Sequence, residues 1–141
     1  MSWRLAPVQW AAAIGALAIL TWSVPGLILN PDFGTGADAS AKQVLGADMN
    51  GWHALSGFAV AIPALVLVPH PHLAARYLPL AAASLTATAI WALASTSIAG
   101  LFYFPHNETD ALLHLGTSAV FVAGAAHYFR SREMPVRSAE T

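Results

Sequence analysis

Two histidines stand out as candidates for chemistry. His53 and His114 each open an apolar stretch, and each starts the same short pattern. One reads His53-Ala-Leu-Ser56-Gly57 and the other His114-Leu-Gly-Thr117-Ser118: a histidine, two residues, a hydroxyl, then a small residue. Imidazole suits several transition metals, and two axial histidines can hold haem iron. A shared site for a divalent metal or a b-type haem at His53 and His114 is therefore one reading. The other is that each ring hydrogen-bonds a neighbouring backbone and locks the helices together, because polar groups buried in a membrane must be satisfied. Ser56, Gly57, Thr117 and Ser118 share the face of these histidines, and such small or hydroxylated residues usually face protein rather than lipid.

A second candidate is the acidic segment His106-Asn107-Glu108-Thr109-Asp110. His106, Glu108 and Asp110 carry the atom types of a divalent-cation site, although such a segment is also an ordinary solvated loop. Asp110 lies four residues before His114, which puts both on one helical face, and its carboxylate can orient that ring. Asp110 also suits the cap or first turn of a helix, where an acid favours the dipole. Asn50, three residues before His53, suits the matching cap role on the other stretch. Elsewhere, Pro69-His70-Pro71-His72 offers too few ligands for a closed metal site. Ser84, Thr88, Trp91 and Ser95 form a polar stripe that either lines a narrow solute path or bonds its own helix. A second small-residue stripe, Gly116, Ala119, Ala123 and Ala126, lies roughly opposite His114 and suits lipid or another subunit.

The elements that must hold these residues are apolar helices. The 141-residue chain is 57% hydrophobic and only 9% charged, with a mean hydropathy of +0.58. That is too little charge to cover a soluble enzyme, and a net charge of −1 leaves no basic face for nucleic acid. The absence of cysteine removes disulfides, thiolate metal sites and thiol nucleophiles. Four stretches free of Asp, Glu, Lys and Arg read as membrane spans: 7–29, 53–69, 77–104 and 111–129. The second is short and contains Pro63. The first, with Arg4 ahead of it, also resembles a signal peptide, but its apolar run continues to Leu29 without a clean cleavage site, so an uncleaved anchor is expected. An all-α, four-helix transmembrane bundle follows as the fold, with a tail over 130–141.

Arg4, Arg76, Arg130, Arg132 and Arg137 flank one end of the spans, while Asp32, Asp38, Asp48, Glu108 and Asp110 outnumber Lys42 at the other. The positive-inside rule then puts both termini in the cytoplasm of a cell-membrane protein. The first and third spans also end alike, in Gly26-Leu-Ile-Leu-Asn-Pro31 and Gly100-Leu-Phe-Tyr-Phe-Pro105. With the paired histidine patterns, this suggests two repeated helical hairpins, with helices two and four on a diagonal. The long connection over 30–52 reads as a partly ordered cover. Within it, Asp38 is positioned to cap a short helix through Leu45 that stops at Gly46.

The stretch Val44-Leu-Gly-Ala-Asp-Met-Asn-Gly-Trp-His53, the spacing from His53 to Gly57, and the spacing from Asp110 to His114 resemble the bacterial four-helix membrane family called domain of unknown function 4383. The resemblance covers about residues 8–129. It implies a multi-pass membrane protein and brings no established activity. The family's second helix often carries a further histidine upstream, where this chain has Gly51 and Trp52. No catalytic set emerges, so the leading expectation is a non-enzymatic structural or accessory component of a membrane assembly. The bilayer is its first partner, with a membrane-protein partner or self-association beyond it. The haem or metal protein and the small-solute pathway are the alternatives.

Overall fold

The computed structural model describes residues 4–35, 39–95, 97–98 and 102–133. Four helices dominate: α1 (Pro7–Leu29), α2 (Gly51–Val66), α3 (Pro71–Ala94) and α4 (Glu108–Glu133). Between α1 and α2 lies an antiparallel hairpin of β1 (Lys42–Val44) and β2 (Ala47–Met49); between α3 and α4 lies a smaller one, β3 (Ser97–Ile98) with β4 (Phe102–Tyr103). The helices run up, down, up and down. The α2–α3 turn, the start of α1 and the end of α4 therefore share one end, and both hairpins occupy the other. Gln9 ties the first end together: its Nε2 donates to the Val68 carbonyl at 2.7 Å, and its Oε1 accepts from the Ala6 N–H.

Around the bundle, α1 packs on both α2 and α4, and α4 packs on α3, whereas α2 barely touches α3. Helices two and four therefore do lie on a diagonal. The core that joins them is mostly alanine, including Ala12, Ala16, Ala61, Ala64, Ala74 and Ala82, with Leu78, Leu85 and Phe121 as its larger members. Small residues allow close helix approach. A Cβ on Gly15 would strike the Phe121 ring, and one on Gly124 would strike Ala11, so these two glycines set the α1–α4 spacing. Ser118 is buried and joins α4 to α3, donating to the Ala82 carbonyl at 3.0 Å and pairing with the Thr86 hydroxyl at 2.8 Å. On the far side of α4, Gly116, Ala119 and Ala123 are exposed and Ala126 is half-buried, so the second stripe faces outward.

Helices α1, α3 and α4 are long and apolar enough to cross a membrane, whereas α2 has 16 residues. The third span expected over 77–104 is instead a helix that begins at Pro71, whose ring suits a first helical position, and stops at Ala94. Ser95 ends it. Its hydroxyl donates to the Ser97 carbonyl and accepts from the Ser97 N–H, and Trp91 Nε1 donates to the same carbonyl. The two Gly-to-Pro stretches that looked alike thus differ: Leu27–Leu29 are helical, while Phe102–Tyr103 are extended.

The short helix expected to stop at Gly46 is also replaced, by the first hairpin. Leu45 and Gly46 form its two-residue turn with positive φ of 52° and 88°, the twist such turns require. Val44, Ala47 and Met49 point inward against Ala54, Trp22, Leu27, Phe58 and Leu113. Burial of that alternating face outweighs the helical preference of the alanine-rich segment before it. Asp38, its expected cap, lies outside the described residues, as do Trp3, Gly36, Gly100 and Arg137.

Candidate metal centre

Asn50 opens α2 as expected. Its Oδ1 accepts from the His53 N–H at 2.9 Å, and its Nδ2 donates to the Tyr103 carbonyl at 2.8 Å, so one buried side chain joins the helix start to the second hairpin. Asn107 opens α4. Its Oδ1 accepts from the Asp110 N–H, and Asp110 Oδ2 accepts from the Asn107 N–H, a reciprocal capping box. Asp110 is thus the first-turn acid and not the cap. The same Oδ2 also accepts from the Asp48 N–H at 2.9 Å, while Asn107 Nδ2 donates to the Gly46 carbonyl. Through these bonds the first hairpin is fastened to the start of α4.

The outcome is a cluster of three imidazoles. His53, His106 and His114 each offer a ring nitrogen within 4.8 Å of the others. Their ring centroids stand 4.9 Å (His53–His106), 5.6 Å (His53–His114) and 5.4 Å (His106–His114) apart. His53 Nδ1 lies 2.8 Å from the Asp48 carbonyl and His114 Nδ1 lies 2.8 Å from the Asp110 carbonyl; His106 Nδ1 makes a longer contact of 3.4 Å with the Phe104 carbonyl. A carbonyl can only accept, so each of these contacts calls for a proton on Nδ1, the tautomer that leaves a lone pair on Nε2; the His53 ring has the Pro105 carbonyl as a second backbone acceptor. His106 Nε2 is buried without a partner. His53 Nε2 faces Asp110 Oδ1 at 3.8 Å. Neither of these two atoms meets a hydrogen-bond donor among the described residues. Several acceptors therefore converge where no hydrogen-bond donor to His53 Nε2 or His106 Nε2 is found among the described residues, an arrangement that favours a cation.

His106 sits just before α4 in sequence, in the connection from the second hairpin. Burial first, and the neighbouring His114 second, hold its pKa down to about 4, against an ordinary 6.5. It is neutral at neutral pH and ready to ligate. Three nitrogens bound tetrahedrally to one ion at about 2.0–2.1 Å lie about 3.3 Å apart, so the widest pair, within 4.8 Å now, would close by at most about 1.5 Å on loading. Haem fits poorly. The nearest cavity measures about 90 Å³, room for a few waters rather than a macrocycle. Phe104, at 4.6 Å between ring centroids, and His106 already cover the His53 ring.

Other expected site residues fall elsewhere. Glu108 is exposed and outside the cluster, so the grouping of His106 with Glu108 and Asp110 is not the one the fold assembles. The Asp110 carboxylate turns to His53 and the first hairpin, and only its backbone carbonyl meets His114. The Ser56 hydroxyl bonds its own helix at the His53 carbonyl, Gly57 lets α1 approach so closely that a Cβ would run into Ser23, and Thr117 lines the cavity. The sequence reading missed the union of His106 with His53 and His114. The available signal was its place immediately before the α4 cap, at the end of the bundle that also holds His53.

The sequence matches the profile of a family described as domain of unknown function (DUF4383) over residues 9–127. The chain belongs to this DUF4383 family. The matched span runs from α1 to the last turns of α4 and includes all three histidines and Asp110. Searches of curated proteins and of solved structures give no match.

Proposed function

We propose that this DUF4383 protein is a multi-pass membrane protein that holds one first-row transition-metal ion in the imidazoles of His53, His106 and His114. The carrying observation is the convergence of three rings whose Nδ1 atoms face backbone carbonyls. This supports metal binding over a purely structural role, because a structural histidine would direct its second nitrogen to a donor or to water. The three donor nitrogens suit zinc, copper, nickel or cobalt. Asp110 stands beside His53 to neutralise the ion or to act as a carboxylate ligand. Lipid is the surrounding partner, and the arginine distribution supports a cytoplasmic placement of both termini, with the metal at the far side of the membrane.

The test is metal titration of chelator-stripped protein in detergent or nanodiscs, using Co²⁺ absorption and elemental analysis. One ion per chain is expected. His53→Ala, His106→Ala and His114→Ala should each weaken binding at least 100-fold, while His70→Ala and His127→Ala should not change it. No binding by the wild-type protein, or full binding by the His106 variant with helicity retained, would overturn the proposal.

A further inference from the structure

Directly beneath the histidines lies the cavity of about 90 Å³, walled by all four helices. His53, His114 and Asp110 form part of its lining, so the metal cluster and the cavity share a wall. Resting on the metal reading, we infer that the ion's free coordination position opens into the bundle and takes the donor head of a slim neutral amphiphile, which enters sideways between α2 and α3.

Access argues for the side route. The hairpin end is closed: Asn50 is fully buried, and Met49, Phe104, His53 and Asp110 are buried around it. Toward the termini, the Tyr77 hydroxyl donates to the Val60 carbonyl at 2.9 Å and joins α3 to α2, with the alanine core beyond. Between these two closures α2 and α3 barely meet. On this side the cavity lining includes Ser56 of α2 and Ser84 and Thr88 of α3, with Ser84 exposed. A ligand reaching the cavity by this side comes from the lipid and not from water.

The lining specifies the ligand. Trp22 borders the cavity, and its Nε1–H is buried with no acceptor among the described residues. An unpaired donor in a dry site costs about 1–3 kcal/mol, and an oxygen or sulfur atom on a ligand would relieve it. The remaining wall is largely aliphatic, including Ala18, Ile19 and Leu85. The volume accommodates a head group and the first methylenes of a chain, with the rest of the tail trailing into the bilayer.

The experiment uses Co²⁺-loaded full-length protein in nanodiscs and two thiols. The first, 1-hexanethiol, partitions into lipid; the second, 2-mercaptoethanesulfonate, is charged and stays in water. Coordination forms a Co–S bond, breaks the S–H bond and releases the proton to the buffer, with no change of oxidation state. A thiolate-to-cobalt charge-transfer band is expected with hexanethiol at concentrations at least tenfold below those the sulfonate needs. Ser84→Trp, at the mouth of the gap, should weaken hexanethiol at least tenfold while leaving Co²⁺ affinity unchanged. Thr88→Phe should do the same. Failure to load Co²⁺ would refute the metal reading itself. Loading without a hexanethiol band would overturn the ligand inference alone, as would equal response to both thiols or no effect of either bulky substitution.

Discussion

At Asp110 the two carboxylate oxygens serve different parts of the structure. Oδ2 receives the N–H groups of Asp48 and Asn107, and Oδ1 faces His53. Asp110→Asn keeps an acceptor for the backbone but removes the charge, so metal affinity should fall about 10- to 100-fold with little loss of stability. Asp110→Ala also takes the acceptor from two backbone N–H groups, and about 1–3 kcal/mol of stability should go with it. Co²⁺ titration and thermal unfolding in detergent separate the two effects. His106 adds a pH dependence. Its folded pKa of about 4 lies below the ordinary 6.5 of the unfolded chain. The unfolded state therefore takes up a proton first as pH falls, and stability present above about 6.5 is lost down to about 4. The melting point of metal-free wild type should drop more steeply from pH 7 to 5 than that of His106→Gln. Some of this was legible from spacing alone: Asn50 three before His53 is a helix-cap interval, and it is a cap. Asp110 four before His114 gave the right face and the wrong partner, because a hairpin distant in sequence claims the carboxylate.

Among the elements, the first hairpin was the least legible. Ala-Ser-Ala-Lys-Gln-Val-Leu favours a helix locally, and the turn lacks the Asn-Gly that announces a tight hairpin. The deciding energy is the burial of Val44, Ala47 and Met49 at the end of the bundle, which no local pattern reveals. Leu45 bears the strain of that choice: it is 66% exposed at φ 52°. A left-handed conformation costs a side-chain-bearing residue about 1–2 kcal/mol, less for asparagine. Leu45→Asn should therefore stabilise the protein by about 1 kcal/mol, read as a higher midpoint in chemical unfolding. The long helices, by contrast, were plain from their uncharged apolar runs. Their contact surfaces rest on single glycines, and Gly15→Leu should destabilise by about 1–3 kcal/mol by driving α1 off Phe121.

For the molecule as a whole, the four-helix order and the diagonal of α2 and α4 followed from counting spans. Which sides of the square would be tight and which open did not, since that depends on where the alanines and glycines meet. The topology makes a further prediction for intact cells or sealed vesicles. Single cysteines at His70 and Ser131 should label from one side of the membrane, and one at Leu45 from the other. Labelling of Leu45→Cys and Ser131→Cys from the same side would contradict it.

The brevity of α2 has an effect beyond the protein. Its 16 residues reach about 24 Å, short of the ~30 Å of hydrocarbon that its 23- to 26-residue neighbours exceed. In the bilayer placement proposed above, headgroups beside it would have to dip to meet it, an elastic mismatch that thins the leaflet locally. On the lateral route inferred above, that dimple would lie alongside the seam with α3, so the thinnest bilayer around the molecule would meet the proposed point of entry.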